Sequence, residues 1–489
     1  MLSNVRAWRL ALATLALPML LAPPAAAFVQ KTSAISANER AQGARAHPQI
    51  LAQFGGAYAG PQSAYVGQVG RRIAVQSGMG NSQGAYTVTL LNSNAMNAFA
   101  LPGGYVYVTR QLLAIMNDEA ELAFVLGHEV GHVAADHSQK RSTRSTLASL
   151  GSVIAGAVTG SSLATDLVGR VGQYAVLGYS RSQEYQADTL GVRYLGGAGY
   201  DPLAAPDMLN ALGGQTSLEA RLKGQAAENA TPSWGRTHPL TADRVTRARA
   251  LAQKTGTAAQ RQRNRDAFLN AIDGMAMDDD PRQGVIDGRS FRHPDLRLGF
   301  TAPAGYALVN GAEAVTIQGA GGQASFAGGA IGGGLDSYID TVFRRLGGQT
   351  RIDYGRPERT RVNGLDGLVA SARASTQSGQ VDVTVAAFDW GNGQAYHFVT
   401  IAPAGRGVGP FGSLIGSLQR LTPAEAGAIR ARRLDVVTVR PGDTIASLSA
   451  RMAYPDYRSE RFLALNALPA NAALRPGTRV KLVGYGAAR

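Results

Sequence analysis

The chain has 489 residues, of which 45% are hydrophobic and 17% charged, so it is long enough for about three domains and too apolar to be wholly disordered. Lys and Arg outnumber Asp and Glu by 48 to 34, giving a formal net charge of +14, but the basic residues are scattered and predict no nucleic-acid partner. Cysteine is absent, which excludes disulfides, a thiol nucleophile, cysteine-ligated metal and a lipid anchor on cysteine.

The first residues predict an export signal. Two arginines precede an apolar run at residues 10–21, and three alanines at 25–27 provide small residues typical of a cleavage site. As a helix the run would span about 18 Å, which is less than the about 30 Å of a bilayer core. We therefore expect a signal peptide at 1–27 and export to the periplasm or cell envelope, not as a lipoprotein.

The next part of the chain predicts helices, a short strand–turn–strand unit at 85–109, and helices again to about residue 265. Residues 145–165 carry no charge, which raises the possibility of a membrane span, but eleven of these 21 residues are Ser, Thr or Gly. The larger apolar residues recur at helical spacing. We expect a packed or lid-like helix here, and no integral membrane span after signal cleavage.

The segment 118–137, DEAELAFVLGHEVGHVAADH, predicts a zinc-binding helix. An Asp-x-x-Glu sequence ahead of an apolar run is typical of a helix N-terminus. His128 and His132 are four residues apart, so both rings share one helix face and can reach one metal ion. Glu129 lies beside them, where it can accept a proton from a water molecule at the metal.

Two histidines do not complete a metal site. The longer pattern with a third histidine fails, because Ala135 and Ser138 occupy the positions of its glycine and its last histidine. His137 is nine residues after His128, about 180° around a continuous helix, so we expect it to face away from the metal.

Glu184 is the predicted third ligand. It precedes Asp188 by four residues, so both carboxylates share a helix face. Asp188 could then accept the outer N–H of a ligating histidine and fix its tautomer. The alternative is an acidic pair on a helix surface.

Four segments together resemble the M48 metallopeptidase family, which includes HtpX, the CAAX prenyl proteases and the periplasmic BepA. They are NAFALPGG (97–104), HEVGH (128–132), SRSQEYQAD (180–188), and His238-Pro239 followed by Arg244. The resemblance covers about residues 30–255 and implies a mainly helical, gluzincin-type domain with a small β-sheet. It implies that His128, His132 and Glu184 bind one zinc ion per chain and that Glu129 is the general base.

The resemblance also implies a substrate-binding edge strand beside the zinc. Its residues are Asn97, Ala98, Phe99 and Ala100. An extended peptide could add to such an edge through main-chain hydrogen bonds, which tolerate many sequences. The alternative for Asn97 is a simple turn residue.

Two further residues are assigned to the site through the resemblance. His238 is a predicted catalytic residue, which either donates to the developing oxyanion or takes the open zinc position as a latch. Arg244 either donates to the oxyanion as well or pairs with a carboxylate such as Asp188.

The domain organisation is predicted as multidomain α+β. The expected units are the signal peptide (1–27), the M48-like domain (28–265), a linker (266–284), an α+β accessory domain (285–422) and a last module (434–485). The accessory domain resembles PsbP-like domains at FTAPAGY. The last module resembles a LysM domain of βααβ order, with VVTVRPGDT (436–444) and LRPGTRVKL (474–482) as its quoted motifs, which implies attachment to peptidoglycan.

These patterns predict an exported zinc endopeptidase that acts on unfolded or misassembled envelope proteins in quality control. The alternative is a peptidoglycan-anchored chaperone or assembly factor whose protease site is largely latent.

Overall fold

The computed structural model describes residues 34–79, 82–137, 179–222, 238–239, 242–255, 261–348, 350–376 and 379–486. The predicted signal peptide and the predicted helix at 145–165 lie outside these residues. Among the helices that the structure describes, none is both long and apolar enough to cross a bilayer.

The first region is mainly helical around a small sheet. Its elements are α1 Ala37–Gln53, α2 Pro61–Ala74, α3 Ser82–Ala85, β1 Thr87–Leu91, β2 Ala98–Leu101, β3 Tyr105–Thr109, α4 Arg110–Ile115, α5 Glu119–Ala134, α6 Arg181–Gly197, α7 Ala204–Leu222, α8 Ala242–Lys254, α9 Arg265–Ile272 and β4 Ala276–Met277. The sheet has the order β1-β3-β2, with β1 parallel and β2 antiparallel to β3. Within the described residues, β2 is therefore an edge strand.

A glycine turn sets the register of β2 against β3. Gly103 and Gly104 have φ values of 88° and 81°, in the left-handed region that glycine adopts without strain. A Cβ atom on Gly103 would lie 2.5 Å from the carbonyl oxygen of Glu39, and one on Gly104 would lie 2.5 Å from that of Ala85. Only glycine fits at these positions, and the turn pairs Ala98 with Val108.

Helices α5 and α6 approach each other closely through glycines. A Cβ atom on Gly191 of α6 would lie 3.3 Å from the backbone nitrogen of His128, and one on Gly131 of α5 would lie 3.2 Å from Cβ of Leu190. Helix α6 starts at a capping box in which Ser180 and the side chain of Gln183 satisfy each other's backbone N–H groups. The small residues let α6 pack directly on the helix that carries the HEVGH segment.

The second region is rich in β-strands. Its elements are β5 Val285–Asp287, β6 Ser290–His293, β7 Leu298–Thr301, β8 Ala307–Asn310, β9 Val315–Gly319, β10 Gly322–Ala330, α10 Leu335–Gly347, β11 Glu358–Val362, β12 Leu365–Thr376, β13 Gly379–Gly391, β14 Gln394–Pro403, α11 Gly412–Gly416, β15 Gln419–Arg420 and α12 Pro423–Gly427. An antiparallel seven-stranded sheet has the order β11-β12-β13-β14-β10-β9-β8, and a second sheet has the order β15-β7-β6-β5. Helix α10 packs on β12 and β13. The predicted mixture of a helical first region and a later region containing both helix and sheet is confirmed.

The last region has the βααβ order predicted for it. Its elements are β16 Arg432–Thr438, α13 Ile445–Ser449, α14 Arg458–Leu465 and β17 Arg479–Tyr485. Strand β16 pairs with β17 on one side and with β4 on the other, so a strand from the first region completes this sheet. The fully buried Lys481 donates from Nζ to the carbonyl oxygens of Ala114 (2.8 Å) and Met116 (2.5 Å), near the end of α4.

The segment predicted as a linker, 266–284, makes contacts with all three regions. Asp278 accepts a hydrogen bond from the hydroxyl of Tyr454 at 2.8 Å. The next residue, Asp279, accepts from the amides of Asn94 at 2.7 Å and Asn310 at 3.3 Å. The carboxylates of Asp278 and Asp279 thus connect this segment to the last region and to the first and second regions, respectively.

Candidate metal centre

Four buried side chains from three parts of the first region meet at one point. His128 and His132 project from α5, Glu184 from α6, and His238 from a short described segment before α8. Each offers a ligand atom, and these atoms all lie within 4.8 Å of one another. None of the four side chains is more than 2% exposed.

The distances fit a four-coordinate zinc ion. Nε2 of His128 lies 3.0 Å from Nε2 of His132 and 3.2 Å from Nδ1 of His238. Oε1 of Glu184 lies 3.4 Å from Nε2 of His132 and 3.1 Å from Nδ1 of His238. Ligands about 2.0–2.1 Å from a tetrahedral zinc ion are separated by about 3.3 Å. The nitrogen and oxygen donors therefore match zinc in both chemistry and spacing.

Asp188 and Arg244 contact two of the ligand residues, His128 and Glu184, outside the cluster. Oδ1 of Asp188 lies 3.0 Å from Nδ1 of His128, on the side of the ring away from the cluster. Arg244 donates from Nε and Nη2 to the two oxygens of Asp188, both at 2.8 Å. Its Nη1 lies 2.7 Å from Oε2 of Glu184. One guanidinium thus holds both carboxylates of α6.

The surroundings favour the metal-binding protonation states of His132, Glu184 and Asp188. For His128, burial lowers the pKa, but Asp188 and Glu184 outweigh it and raise the pKa, so that zinc would have to displace a proton there. Burial lowers the pKa of His132 well below its ordinary value, which keeps the ring neutral. Burial alone would raise the pKa of Glu184, but the adjacent His238 and His132 lower it well below its usual range. Burial likewise opposes ionisation of Asp188, and the charge of Arg244 outweighs it and lowers that pKa. Neutral imidazole and ionised carboxylate are the forms that coordinate zinc.

Glu129 lies beside the cluster rather than in it. Its side chain is fully buried, and Oε1 is 3.4 Å from Nε2 of His238. His238 thus presents one ring nitrogen to the metal-ligand atoms and the other to Glu129.

The residues predicted to bind substrate lie on and just before β2, which packs against α5. Asn97 is joined to Thr109 through its backbone, since its N–H donates to Oγ1 at 3.1 Å and its carbonyl accepts from the N–H at 3.0 Å. Phe99 stacks on Tyr107 with ring centroids 4.8 Å apart, and Ala98 and Ala100 are buried.

His137 is not in the ligand group, but the continuous helix from which it was predicted to face away from the metal is wrong. Helix α5 ends at Ala134, and Asp136 adopts a left-handed conformation with φ 58°, so the chain turns back on the helix. His137 is consequently buried, and its Nδ1 lies 2.8 Å from Nδ1 of His132.

Sequence reasoning also missed Tyr179. Its ring stacks on that of His132 at a centroid distance of 3.5 Å and an interplanar angle of 18°. Its position directly before Ser180, the cap of α6, is the signal that could have placed it near the site.

Comparison with known proteins identifies two domains. Residues 61–252 match the family model described as Peptidase family M48, and residues 437–483 match that of the LysM domain. Both family resemblances predicted for these parts of the chain are confirmed.

Several curated proteins are similar to the first region. Mitochondrial metalloendopeptidase OMA1 of Arabidopsis thaliana is 36% identical over 130 residues, which are 26% of this chain and 26% of that protein. The Beta-barrel assembly-enhancing proteases of Yersinia pestis and Escherichia coli K12 are 27% and 28% identical over 202 and 199 residues. Each match covers 39% of this chain and 39% of the relative, so the chain spans about two fifths or less of the length of these relatives.

One solved structure bears on the prediction for the accessory domain. The solution structure of cyanobacterial PsbP from Synechocystis aligns with 28% of this chain and 98% of its own at 14% identity, with a TM-score of 0.22. A TM-score this low supports no fold assignment, and the PsbP-like reading of residues 285–422 stays a prediction.

Proposed function

We propose that this chain, which contains a peptidase family M48 domain and a LysM domain, is a zinc-dependent endopeptidase that cleaves unfolded or misassembled envelope proteins. The observation that carries the proposal is the buried cluster of three histidines and one glutamate with Glu129 against it. Such a donor set suits a zinc ion, and we expect one per chain.

The residues divide the work between holding the metal and moving protons. His128, His132 and Glu184 hold the ion, which when bound acts as a Lewis acid. Glu129 accepts a proton from the attacking water and returns it to the leaving amine. Because Glu129 is fully buried beside the ligands, its carboxylate needs no large movement to reach a water molecule at that point.

The substrate class follows from the edge strand. An extended main chain could bind alongside residues 97–100, and only an unfolded or misassembled segment offers a free main chain of that kind. The name of the Beta-barrel assembly-enhancing proteases agrees with clients in the envelope.

A second candidate function is a mostly latent site, and His238 is the observation that favours it. Its Nδ1 lies 3.2 Å from Nε2 of His128 and 3.1 Å from Oε1 of Glu184, where it can act as a fourth ligand. With all four positions filled by protein, the chain would act mainly as an anchored chaperone or assembly factor until His238 moved away.

The LysM domain supports a location at the cell wall, together with the export signal predicted at 1–27. Full-length protein should sediment with purified peptidoglycan and be released by soluble N-acetylglucosamine oligomers. Cellulose, which lacks the N-acetyl groups, is the matched control polymer. Equal sedimentation with both polymers would refute peptidoglycan as the partner.

The endopeptidase proposal is tested by replacing the general base. Glu129→Gln should keep one zinc per chain and lose roughly 10²–10⁴-fold in casein cleavage, the usual contribution of an acid–base group. Glu313→Gln makes the same chemical change at an exposed position in the second region and should leave cleavage unchanged. Full activity in Glu129→Gln would exclude the mechanism. In cells, the peptidase function predicts that Glu129→Gln behaves like a deletion of the protein, whereas the latent-site function predicts that it behaves like the wild type.

A further inference from the structure

The turn after α5 brings a fourth histidine, His137, into contact with the metal-ligand group. His137 is 1% exposed, its Nδ1 is 2.8 Å from Nδ1 of His132, and its Nε2 is 3.2 Å from Oε1 of Gln186. Gln186 lies on α6, two residues after Glu184. His132, His137 and Gln186 thus form a chain of contacts from one predicted ligand, His132, to α6, the helix that carries another, Glu184.

The hydrogen-bond partners along this line favour one arrangement of the protons. Oε1 of Gln186 can only accept, so Nε2 of His137 carries the hydrogen. In the neutral ring Nδ1 of His137 is then an acceptor, and Nδ1 of His132 must be the donor. That tautomer leaves the lone pair of His132 on Nε2, the atom that lies 3.0 Å from Nε2 of His128.

We propose that His137 is a positioning residue that holds His132 in the metal-binding tautomer and orientation, with Gln186 as its own support. The role parallels that of Asp188, whose Oδ1 lies 3.0 Å from Nδ1 of His128. Outer hydrogen-bond partners of this kind fix ligand tautomers and rotation. This inference rests on the zinc site of the proposed function but not on the reaction that the site catalyses.

The two ligand histidines of α5 have different hydrogen-bond partners. Asp188 offers a carboxylate oxygen and is held by Arg244, whereas His137 offers a ring nitrogen. The ring of His132 is also covered by Tyr179 at 3.5 Å, so stacking and one hydrogen bond together restrict its rotation. A second carboxylate is not required at this position.

The test measures zinc affinity with Zn²⁺ alone, by competition with a chelating indicator. His137→Phe removes the acceptor and should weaken zinc binding roughly 10–100-fold. His137→Asn places Oδ1 near the former Nδ1 and should restore affinity to within about threefold. Asp136→Asn, which tolerates the same left-handed backbone, is the matched control and should bind zinc like the wild type.

A purely structural role for His137 predicts different results. It would make His137→Asn and His137→Phe lose affinity in parallel with a loss of stability in the zinc-free protein, and that outcome would overturn the proposal. Wild-type affinity in His137→Phe would overturn it as well.

If His137→Phe does not fold, Gln186→Leu provides the second test. It removes only the acceptor at Nε2 of His137, and it should lower zinc affinity and shift the visible spectrum of the cobalt-substituted protein. An unchanged spectrum and affinity would reject the positioning role. A wild-type chain that binds zinc normally but never cleaves casein would refute the proposed function and leave this inference standing.

Discussion

Removal of Arg244 should strongly lower the free energy of unfolding of the first region. It is 1% exposed and neutralises two buried carboxylates, donating to both oxygens of Asp188 at 2.8 Å and lying 2.7 Å from Glu184. Truncating one partner of a buried ion pair typically costs about 3–5 kcal/mol, because the remaining charge is left without compensation. We expect Arg244→Met to lose at least this amount in the zinc-free protein, about 10 °C in Tm for a domain of this size.

The loss should depend on pH in a definite direction. With Arg244 present, the pKa of Asp188 lies below its ordinary value, so the stabilisation is complete above the ordinary value and is lost as the pH falls. Without the guanidinium, burial raises the pKa of Asp188, and the group can protonate at a higher pH. The difference between wild type and Arg244→Met should therefore begin to shrink above about pH 4, as Asp188 of the variant protonates, and should shrink further below about pH 4, as the wild type loses its ion pair.

Thermal and urea unfolding of chelator-treated protein measure this effect. Arg249→Met is the matched control, since it removes an exposed arginine from the same helix, α8, and should change stability by less than about 0.5 kcal/mol. Arg244→Lys should lie between the two, because lysine keeps the charge and loses the paired hydrogen bonds. If Arg244→Met unfolded within about 1 kcal/mol of the control, the ion-pair reasoning would be refuted.

The other predictions concern single residues. Glu184→Ala should lose zinc under mild chelation, whereas Asp188→Ala should weaken zinc affinity only roughly 10–100-fold, and stoichiometric zinc in the first variant would remove Glu184 from the ligand set. His238→Ala should lower casein turnover roughly 10²–10³-fold if the ring donates to the oxyanion, or raise turnover and self-cleavage if it acts as a latch. Unchanged turnover together with unchanged zinc geometry by X-ray absorption would exclude both roles. Burial lowers the pKa of His397 in β14 from 6.5 to about 4, so the second region should lose up to about 3 kcal/mol as the pH falls from 6.5 to 4. Hydrogen exchange over residues 381–403 should show this loss, and His397→Gln should abolish it; an equal loss in the variant would contradict the assignment.

Residue spacing within a helix predicted two pairs of the site, and the family resemblance supplied the residues that lie elsewhere in the chain, His238 and Arg244. His128 and His132 share a face because of their four-residue spacing, and the same spacing singles out Glu184 and Asp188. His137 could not be placed by counting, because the count assumed a continuous helix and the left-handed residue Asp136 breaks it.

Contacts between distant parts of the chain were also beyond sequence reasoning. The segment 266–284 predicts a linker because it is polar, and polarity does not reveal partners that lie far away in the sequence. Asp279, for example, meets Asn94 and Asn310, which are separated from each other by more than two hundred residues. Burial of such a carboxylate is a property of the assembled fold, and no local pattern encodes it.

The sheet of the LysM region, completed by β4 from the first region, has a mechanical consequence. Removing residues 434–489 would cut β16 after Arg433 and remove all of β17, so that only two residues would remain opposite β4. It would also remove Lys481, whose Nζ donates to the carbonyl of Ala114, so truncation should damage the first region along with the LysM domain. A molecule held on glycan through the LysM region would hold its metal-ligand group at a fixed distance and orientation from the polymer. The proposed peptidase would then reach only those polypeptides that diffuse to it, because no flexible linker would let it move toward them.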